Sequence, residues 1–250
     1  MRRRGDRGTA RPRKGCAAWL TALVFAAARC VAADGWGGSL DVTSDYLVRG
    51  ISRTDHDSAL QIDLHYSNSA GLIAGAFASN SRLDKHDPLD IELSAFLGYA
   101  WHPVEDWRGR FLYSHYAYPW NRHGRDYDYD EIDAEFSYQG WLQLSLNYSP
   151  NTPRYLMLPI DALKPEPEES VEVNLQRPVA KHLAVIGGVG YSYMGGPYSG
   201  GYVYWSAGAA YSVGPLAFSV LFVDTSSEAK ALFYNAAAVR RVLGTAVWRF

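Results

Sequence analysis

The sequence predicts a transmembrane, antiparallel, up-and-down β-barrel of about twelve strands, an all-β fold typical of bacterial outer membranes. Three observations carry this prediction: segments of alternating apolar and polar residues, connections that are alternately long and short, and a preceding export signal. After that signal, no segment is long and apolar enough to cross a membrane as a helix. The competing class is a secreted soluble β-sandwich, whose apolar faces would need a second sheet and whose edges would need protection.

The first 33 residues have the features of a secretory signal peptide. A basic stretch from Arg2 to Lys14 precedes the apolar run Cys16–Ala28, and Val31-Ala32-Ala33 offers a cleavage site. We therefore divide the chain into a signal peptide, residues 1–33, and an outer-membrane β-barrel, residues 34–250. Both cysteines lie in the signal, so the mature chain is expected to have neither disulfides nor thiolate chemistry.

Removal of the signal makes the chain acidic. The whole sequence holds 24 basic and 26 acidic residues, and residues 1–33 account for eight of the former and one of the latter. The remaining 16 basic and 25 acidic residues give a formal charge of −9. This charge excludes nucleic acid as an expected partner.

The clearest hairpin runs from Asp128 to Pro150 and turns tightly at Gln139–Gly140. Its apolar face holds Ile132, Ala134, Phe136, Tyr138, Leu142, Leu144, Leu146 and Tyr148. Its polar face holds Glu131, Asp133, Glu135, Ser137, Gln143, Ser145, Asn147 and Ser149. In a membrane barrel the first face contacts lipid and the second lines the lumen.

The same alternation predicts the other strands. The first is expected to continue from Leu40 through Val42 and Tyr46 to Val48, with Asp41 and Asp45 on its inner face. Trp107–Tyr118 is aromatic on both faces, so the pattern leaves its sides unassigned. The remaining strands are expected to begin near Leu60, Gly71, Ile91, Val171, Leu183, Val203, Leu216 and Arg240.

Short and long connections alternate strictly along the chain. The short ones are Ser67–Ala70, His102–Asp106, Gln139–Gly140, Pro178–Lys181 and Ser212–Pro215. The long ones are Gly50–Ser58, Ser81–Pro88, Trp120–Tyr127, Asn151–Glu168, Gly195–Gly201 and Thr225–Val239. We expect the short ones to be periplasmic turns and the long ones external loops, with both chain ends periplasmic. Whether Asn151–Glu168 also folds inward as a constriction is left open.

Aromatic residues are expected at the membrane interfaces. Those near strand ends include Tyr99, Trp101, Trp107, Tyr138, Trp141, Tyr191 and Tyr204. The chain ends on Phe250, on the same strand face as Trp248 and Val242. A terminal aromatic residue on an alternating last strand resembles the recognition signal of the outer-membrane barrel assembly machinery, which is therefore an expected partner.

Residues 43–80 resemble the opening of the TorF family of porins, also known as the Gcw_chp proteins. The matching residues are Ser44-Asp45-Tyr46, Arg49-Gly50-Ile51-Ser52, Ala59, Gln61, Gly71, Gly75 and Ser79-Asn80, with looser matches at Glu92, Gly98-Tyr99, Tyr116, Tyr118-Pro119 and Phe250. Arg53 and Ser58 depart from the family pattern, which usually has Gln and often Pro there. The resemblance implies an outer-membrane barrel and a channel, but no substrate and no catalytic residue.

Charged residues collect on the predicted inner faces and are the candidate pore-lining residues. They are Asp41, Asp45, Arg49, Asp63, Glu92, Glu131, Asp133, Glu135, Glu172, Arg241 and Arg249, with Arg108 and Arg110 as further candidates. Even with all five arginines counted, the eight carboxylates leave the lumen negative. The alternative is a packed polar interior in which arginines and carboxylates pair and block flow, and barrel size does not decide between the two.

These residues predict passive diffusion of small hydrophilic solutes through an outer-membrane channel of a Gram-negative bacterium, with a preference for cations. Outer-membrane lipid is the other expected partner, and the oligomeric state is left open. We expect no enzymatic activity, cofactor or metal. The alternative function is a non-conducting barrel that acts as a surface adhesin or structural protein.

Four weaker patterns favour hydrated or structural roles over catalysis or metal binding. His65 and Ser67 share a strand face, as in some outer-membrane lipid hydrolases, but the sequence supplies neither an orienting acid nor an oxyanion hole. Asp126, Asp128 and Asp130 resemble half of a calcium loop, but Glu131 stands where an EF-hand requires glycine. Asp55-His56-Asp57 and His86-Asp87 are read as hydrated loop residues rather than metal ligands.

Overall fold

A computed structural model describes residues 34–82, 90–120, 127–153, 165–196, 199–233, 237–238 and 240–250. The strands are β1 Gly35–Thr43, β2 Leu47–Val48, β3 Ile51–Ser52, β4 Ala59–Ser67, β5 Leu72–Ser81, β6 Asp90–Val104, β7 Trp107–Ala117, β8 Tyr129–Tyr138, β9 Leu142–Thr152, β10 Glu166–Pro178, β11 Leu183–Met194, β12 Gly200–Val213, β13 Leu216–Thr225 and β14 Arg241–Arg249. A short helix, α1, spans Ser227–Leu232. Within the described ranges, no helix is long and apolar enough to cross a membrane. The predicted signal peptide lies outside the described residues.

Twelve of the strands form a closed antiparallel barrel, which confirms the predicted fold. The order around the wall is β1-β14-β13-β12-β11-β10-β9-β8-β7-β6-β5-β4. Strand β1 pairs with β14 on one side and with β4 on the other, so the ring has no free edge. Closure satisfies the backbone groups that lipid cannot hydrogen-bond. Strands β2 and β3 form a separate two-stranded pair.

The period-two pattern divides the wall into a lipid face and a lumenal face, as predicted. On the β8–β9 hairpin, Ile132 and Leu146 are exposed on the outside, whereas Glu131 and Asp133 are buried inside. The register pairs Tyr138 with Leu142 across the predicted tight turn. On β7, which the sequence left unassigned, Phe111 and Tyr113 point outward, and Leu112 and Tyr116 point inward.

Most of the predicted interfacial aromatics lie on the outer surface. Tyr99, Trp107 and Tyr138 are near the short-turn end of the barrel, and Tyr191 is near the opposite end. Tyr204 was wrongly placed among them. It occupies an inward position on β12, where its hydroxyl donates a hydrogen bond of 2.7 Å to Glu172.

The segment after β1 departs from the prediction. Strand β1 ends at Thr43, and residues 44–58, which include β2 and β3, fold into the barrel lumen as a hairpin, here called the inward hairpin. Tyr46 and Val48 are therefore buried inside instead of facing lipid, and Asp45 and Arg49 lie on the hairpin instead of on a wall strand. The Gly50–Ser58 connection was wrongly expected to be an external loop. The central part of Asn151–Glu168, residues 154–164, lies outside the described residues.

Asp45 holds the base of the inward hairpin together. Its carboxylate accepts hydrogen bonds from the Ser52 and Thr54 hydroxyls, at 2.6 and 2.9 Å. It also forms an ion pair with Arg241 of β14. Arg241 Nη2 in turn donates to the Ala237 carbonyl at 3.1 Å. Asp45 thus links both arms of the hairpin to the wall, and such charge-assisted bonds are among the stronger ones in proteins.

Apolar contacts hold strands β2 and β3 of the inward hairpin against one side of the lumen. Leu47 packs in a buried cluster with Ile186, Ala210, Leu221, Val223 and Leu243 of β11–β14. Ile51 packs in a second cluster that includes Tyr202, Tyr204 and Ala229 of α1. The hairpin buries these side chains away from water, which is favourable in proportion to the apolar area removed.

The tip of the inward hairpin needs a glycine. Gly50 has φ +78°, and a Cβ there would lie 2.7 Å from Thr225 Cγ2 and 2.9 Å from Tyr204 Cβ. The preceding Arg49 also has a positive φ, +50°. The left-handed backbone at Gly50 and its close approach to β12 and β13 therefore both exclude a side chain.

We expect Gly50→Ala to displace the inward hairpin. The substitution costs about 1–2 kcal/mol for the left-handed backbone and adds a steric collision with Tyr204 and Thr225. In folded protein in detergent, trypsin should then cleave after Arg49 or Arg53, two bonds that the wild type protects inside the lumen. Sequencing of the fragment ends measures this.

Gly140→Ala is the matched control, because Gly140 has φ +69° and open space where its Cβ would lie. The control should retain wild-type resistance at Arg49 and Arg53. Equal resistance of the Gly50→Ala variant would contradict the tight seating of the tip.

Candidate functional site in the barrel lumen

Arg49 connects the tip of the inward hairpin to the opposite wall of the lumen. The hairpin leaves the wall between β1 and β4, and its tip reaches β8 and β10 on the opposite side of the ring. There the guanidinium forms an ion pair with Glu131 and donates to Glu168 Oε1 at 3.1 Å and to Ser170 Oγ at 2.9 Å. All three of its nitrogens are thus engaged with the far wall.

A buried polar cluster closes the space beside the hairpin base. The Tyr46 hydroxyl donates a hydrogen bond of 2.6 Å to Glu92, and the Tyr118 hydroxyl donates to the other oxygen of the same carboxylate. Burial raises the pKa of Tyr46 well above its ordinary value, and the charge of Glu92 adds to the shift. The phenol therefore remains protonated and available as a donor. Tyr116 and Tyr129 stack nearby, with ring centroids 4.5 Å apart.

A cavity remains in the lumen next to the Arg49 tip. It has an empty volume of about 890 Å³, part of it open to the solvent. Its lining residues are Leu47, Val48, Arg49, Gly50, Tyr116, Glu131, Asp133, Glu135, Ser145, Asn147, Glu172, Gly188, Tyr204, Trp205, Ser206, Leu221, Val223 and Leu243. Five of the predicted pore-lining residues, Arg49, Glu131, Asp133, Glu135 and Glu172, therefore meet at one cavity.

The carboxylates of this cavity differ in their partners. Glu131 pairs with Arg49, and Glu135 forms a two-pronged ion pair with Arg110, at 2.6 and 3.0 Å. Asp133 accepts a hydrogen bond from Asn147, and Glu172 accepts from Asn174 and Tyr204. Neither Asp133 nor Glu172 has a cationic partner among the described residues. The wall formed by β8–β10 therefore holds more carboxyl groups than arginine partners for them.

The other candidate residues lie elsewhere in the lumen. Asp41 is half-buried on β1, and Asp63 on β4 contacts His65, whose Nδ1 is 2.5 Å from Asp63 Oδ1. Arg241 pairs with Asp45 at the hairpin base, and Glu92 belongs to the tyrosine cluster. Arg108 and Arg249 occupy inward, half-buried positions near the short-turn end of the barrel.

Two charged residues of this region were missed by the sequence analysis. Glu168 was assigned to a loop, but it lies on β10 and binds Arg49. Arg53 was treated only as a departure from the family pattern, but it is a buried residue of the inward hairpin. The period-two alternation of Glu168, Ser170 and Glu172 could have placed Glu168 on the inner face of a strand. Arg53 lies in a segment without strand periodicity, so no such signal was present for it.

The pair His65 and Ser67 does not assemble as a nucleophile and base. His65 is bonded to Asp63, and within the described part of the chain no side-chain hydrogen bond joins His65 to Ser67. The described residues also hold no group of three or more His, Cys, Asp and Glu side chains placed to bind a metal. Asp126 and the His86-Asp87 pair lie outside the described residues.

Comparison with solved structures finds the same barrel fold in porins. It superimposes on the NanC porin with a TM-score of 0.57 and 7% identity, covering 86% of this chain and 98% of that one. The KdgM porin gives 0.52 and 8%, covering 86% and 99%. A second KdgM structure, in complex with disordered oligogalacturonate, gives 0.50 and 8%, covering 86% and 98%. At such low identity, these similarities establish the shared fold alone.

Sequence comparison gives the family. None of the curated proteins matches the chain. Residues 32–250 match the family described as "Bacterial protein of unknown function (Gcw_chp)", a span that includes every described strand of the barrel. The chain therefore belongs to the Gcw_chp family.

Proposed function

We propose that this protein is an outer-membrane channel through which small hydrophilic solutes diffuse passively, with cations favoured over anions. The observation that carries the proposal is the solvent-open cavity in the lumen, where four carboxylates face one arginine of the lining. A narrow, low-dielectric tube focuses such a surplus of charge and raises the local concentration of cations. The resemblance of residues 43–80 to TorF porins also supports a channel in the outer membrane.

The inward hairpin is the constriction of the proposed channel. It spans the lumen from the β1–β4 side to β8 and β10, so any solute must pass beside Arg49. The ion pairs of Arg49 neutralise Glu131 and hold the hairpin across the path. A surface adhesin, the alternative function, would make no use of this internal cavity.

Export and assembly complete the proposal. The signal peptide of residues 1–33 would direct the chain to the periplasm of a Gram-negative bacterium. Phe250 is half exposed at the end of β14 and packs on Trp248 with ring centroids 5.3 Å apart, which leaves an aromatic end for the barrel assembly machinery. Membrane fractionation with heat-modifiable gel mobility tests this part, and a protein that is soluble without detergent would contradict it.

We expect a cation-selective reversal potential for the purified protein in a planar bilayer under a salt gradient. The double variant Asp133→Asn, Glu172→Gln should be less cation-selective, because it removes the two carboxylates without cationic partners. The preference should also weaken at high salt, as the screening length falls below its value of about 8 Å at physiological ionic strength.

Glu169→Gln is the control for charge. Glu169 is exposed on the outer side of β10, beside Tyr148 in the register, so its loss should leave the selectivity unchanged. Anion selectivity of the wild type would contradict the proposed preference.

We expect removal of the inward hairpin to increase single-channel conductance several-fold. Replacement of residues 45–56 with a short Gly-Ser linker leaves β1, β4 and their pairing intact while emptying the lumen. Folding of the variant is checked by heat-modifiable mobility. Unchanged conductance in a folded variant would show that the constriction lies elsewhere.

A further inference from the structure

Asp133 is a buried acid with one oxygen unused. It is 5% exposed and is one of the residues that line the lumenal cavity. Asn147 donates to Oδ1, but Oδ2 has no hydrogen-bond partner within the part of the chain that the structure describes. A buried carboxylate oxygen without a partner is unfavourable, and a ligand that donates to it removes that cost.

Glu172 is a second acid placed on the same wall. In the register, Ser145 of β9 is paired with Glu135 of β8 on one side and with Glu172 of β10 on the other. Asp133, two residues before Glu135 on the same face of β8, is paired with Asn147 of β9. The Tyr204 hydroxyl and the Asn174 amide orient the Glu172 carboxylate, at 2.7 and 2.5 Å. Two carboxylates without cationic partners thus face one cavity.

The opposite side of the cavity is apolar. Strand β14, which contributes Leu243, is six positions from β8 around the twelve-strand ring. Leu221 and Val223 of β13 and Leu47 of the inward hairpin continue this surface. The cavity therefore has an acidic wall and an apolar wall, a combination suited to a ligand with a charged group and a hydrocarbon part.

We propose that this cavity is a binding site for small organic ammonium ions with an apolar body. The ammonium group binds Asp133 Oδ2 and Glu172, while the hydrocarbon part packs on Leu47, Leu221, Val223 and Leu243. The inference rests on the proposed channel, whose solute class it specifies.

Anions do not fit the same cavity. Each of the three guanidinium nitrogens of Arg49 already donates to the protein, to Glu131, Glu168 or Ser170, and two of these partners are carboxylates that offset its charge. Arg110 is directed at Glu135. KdgM was solved with oligogalacturonate, an acidic sugar chain, and this lumen is expected to reject that class of solute.

Equilibrium binding to the purified full-length barrel in non-ionic detergent tests the site. We expect calorimetric titration to detect binding of 2-phenylethylammonium. The neutral analogue 2-phenylethanol and the anion 3-phenylpropionate should bind at least about tenfold more weakly, because they cannot donate an ionic hydrogen bond to Asp133. Ethylammonium should also bind more weakly, since it lacks the body that contacts the apolar wall.

Substitutions test the contributions of the acidic wall and the apolar wall separately. Asp133→Asn and Glu172→Gln should each weaken 2-phenylethylammonium binding, whereas Glu169→Gln on the outer surface should not. Leu243→Ala should weaken 2-phenylethylammonium more than ethylammonium. If Asp133→Asn fails to fold, as heat-modifiable mobility would reveal, Glu172→Gln still tests the acidic wall.

Three results would overturn the inference. They are the absence of 2-phenylethylammonium binding, equal affinity for 2-phenylethylammonium and 2-phenylethanol in the wild type, and unchanged affinity in folded acidic-wall variants. Binding in detergent does not require conduction, so the two proposals fail separately. A protein that conducts cations without binding the probe leaves the channel standing and removes this site. Binding without conduction supports the site and contradicts the channel.

Discussion

Closure of the backbone ladder is the constraint on which the rest of this structure depends. In hydrocarbon each strand must satisfy its N–H and C=O groups on both sides, and here the pairing of β1 with both β4 and β14 completes the ring. Inward side chains can fill the interior of an eight-stranded barrel, but a ring of twelve strands is wider and encloses additional space. That space must hold either water or polypeptide, and in this protein residues 44–58 occupy part of it.

The inward hairpin is stabilised in that space because its apolar side chains contact an apolar side of the lumen and its arginine contacts an acidic side. Leu47 joins the apolar side chains of β11–β14, while Arg49 reaches the carboxylates of β8 and β10. A buried arginine without partners would be strongly unfavourable, so the hairpin tip and the acidic wall stabilise one another. The Asp45–Arg241 ion pair joins the base of the hairpin to β14.

The residual cavity links the fold to the proposed transport. Arg49 and Arg110 form ion pairs with Glu131 and Glu135, and in the proposed channel the remaining acids Asp133 and Glu172 favour cations. Because the apolar side chains lie across the cavity from these acids, the same geometry that seats the hairpin produces an amphiphilic surface. Selectivity for charge and affinity for an apolar body would then come from different walls of one lumen.

The sequence by itself determined the barrel, its approximate strand number and the division between lipid and lumen, because the pleat of a strand imposes a period of two. It could also place Glu131, Asp133, Glu135 and Glu172 on inner faces for the same reason. It could not reveal the path of residues 44–58, since Tyr46 and Val48 fit a lipid-facing strand as well as a packed lumen. Only the tertiary structure decided that Arg49 pairs with Glu131 and Glu168, which lie 82 and 119 residues away along the chain. Such pairs depend on which strands close the ring opposite one another, and local periodicity carries no information about that.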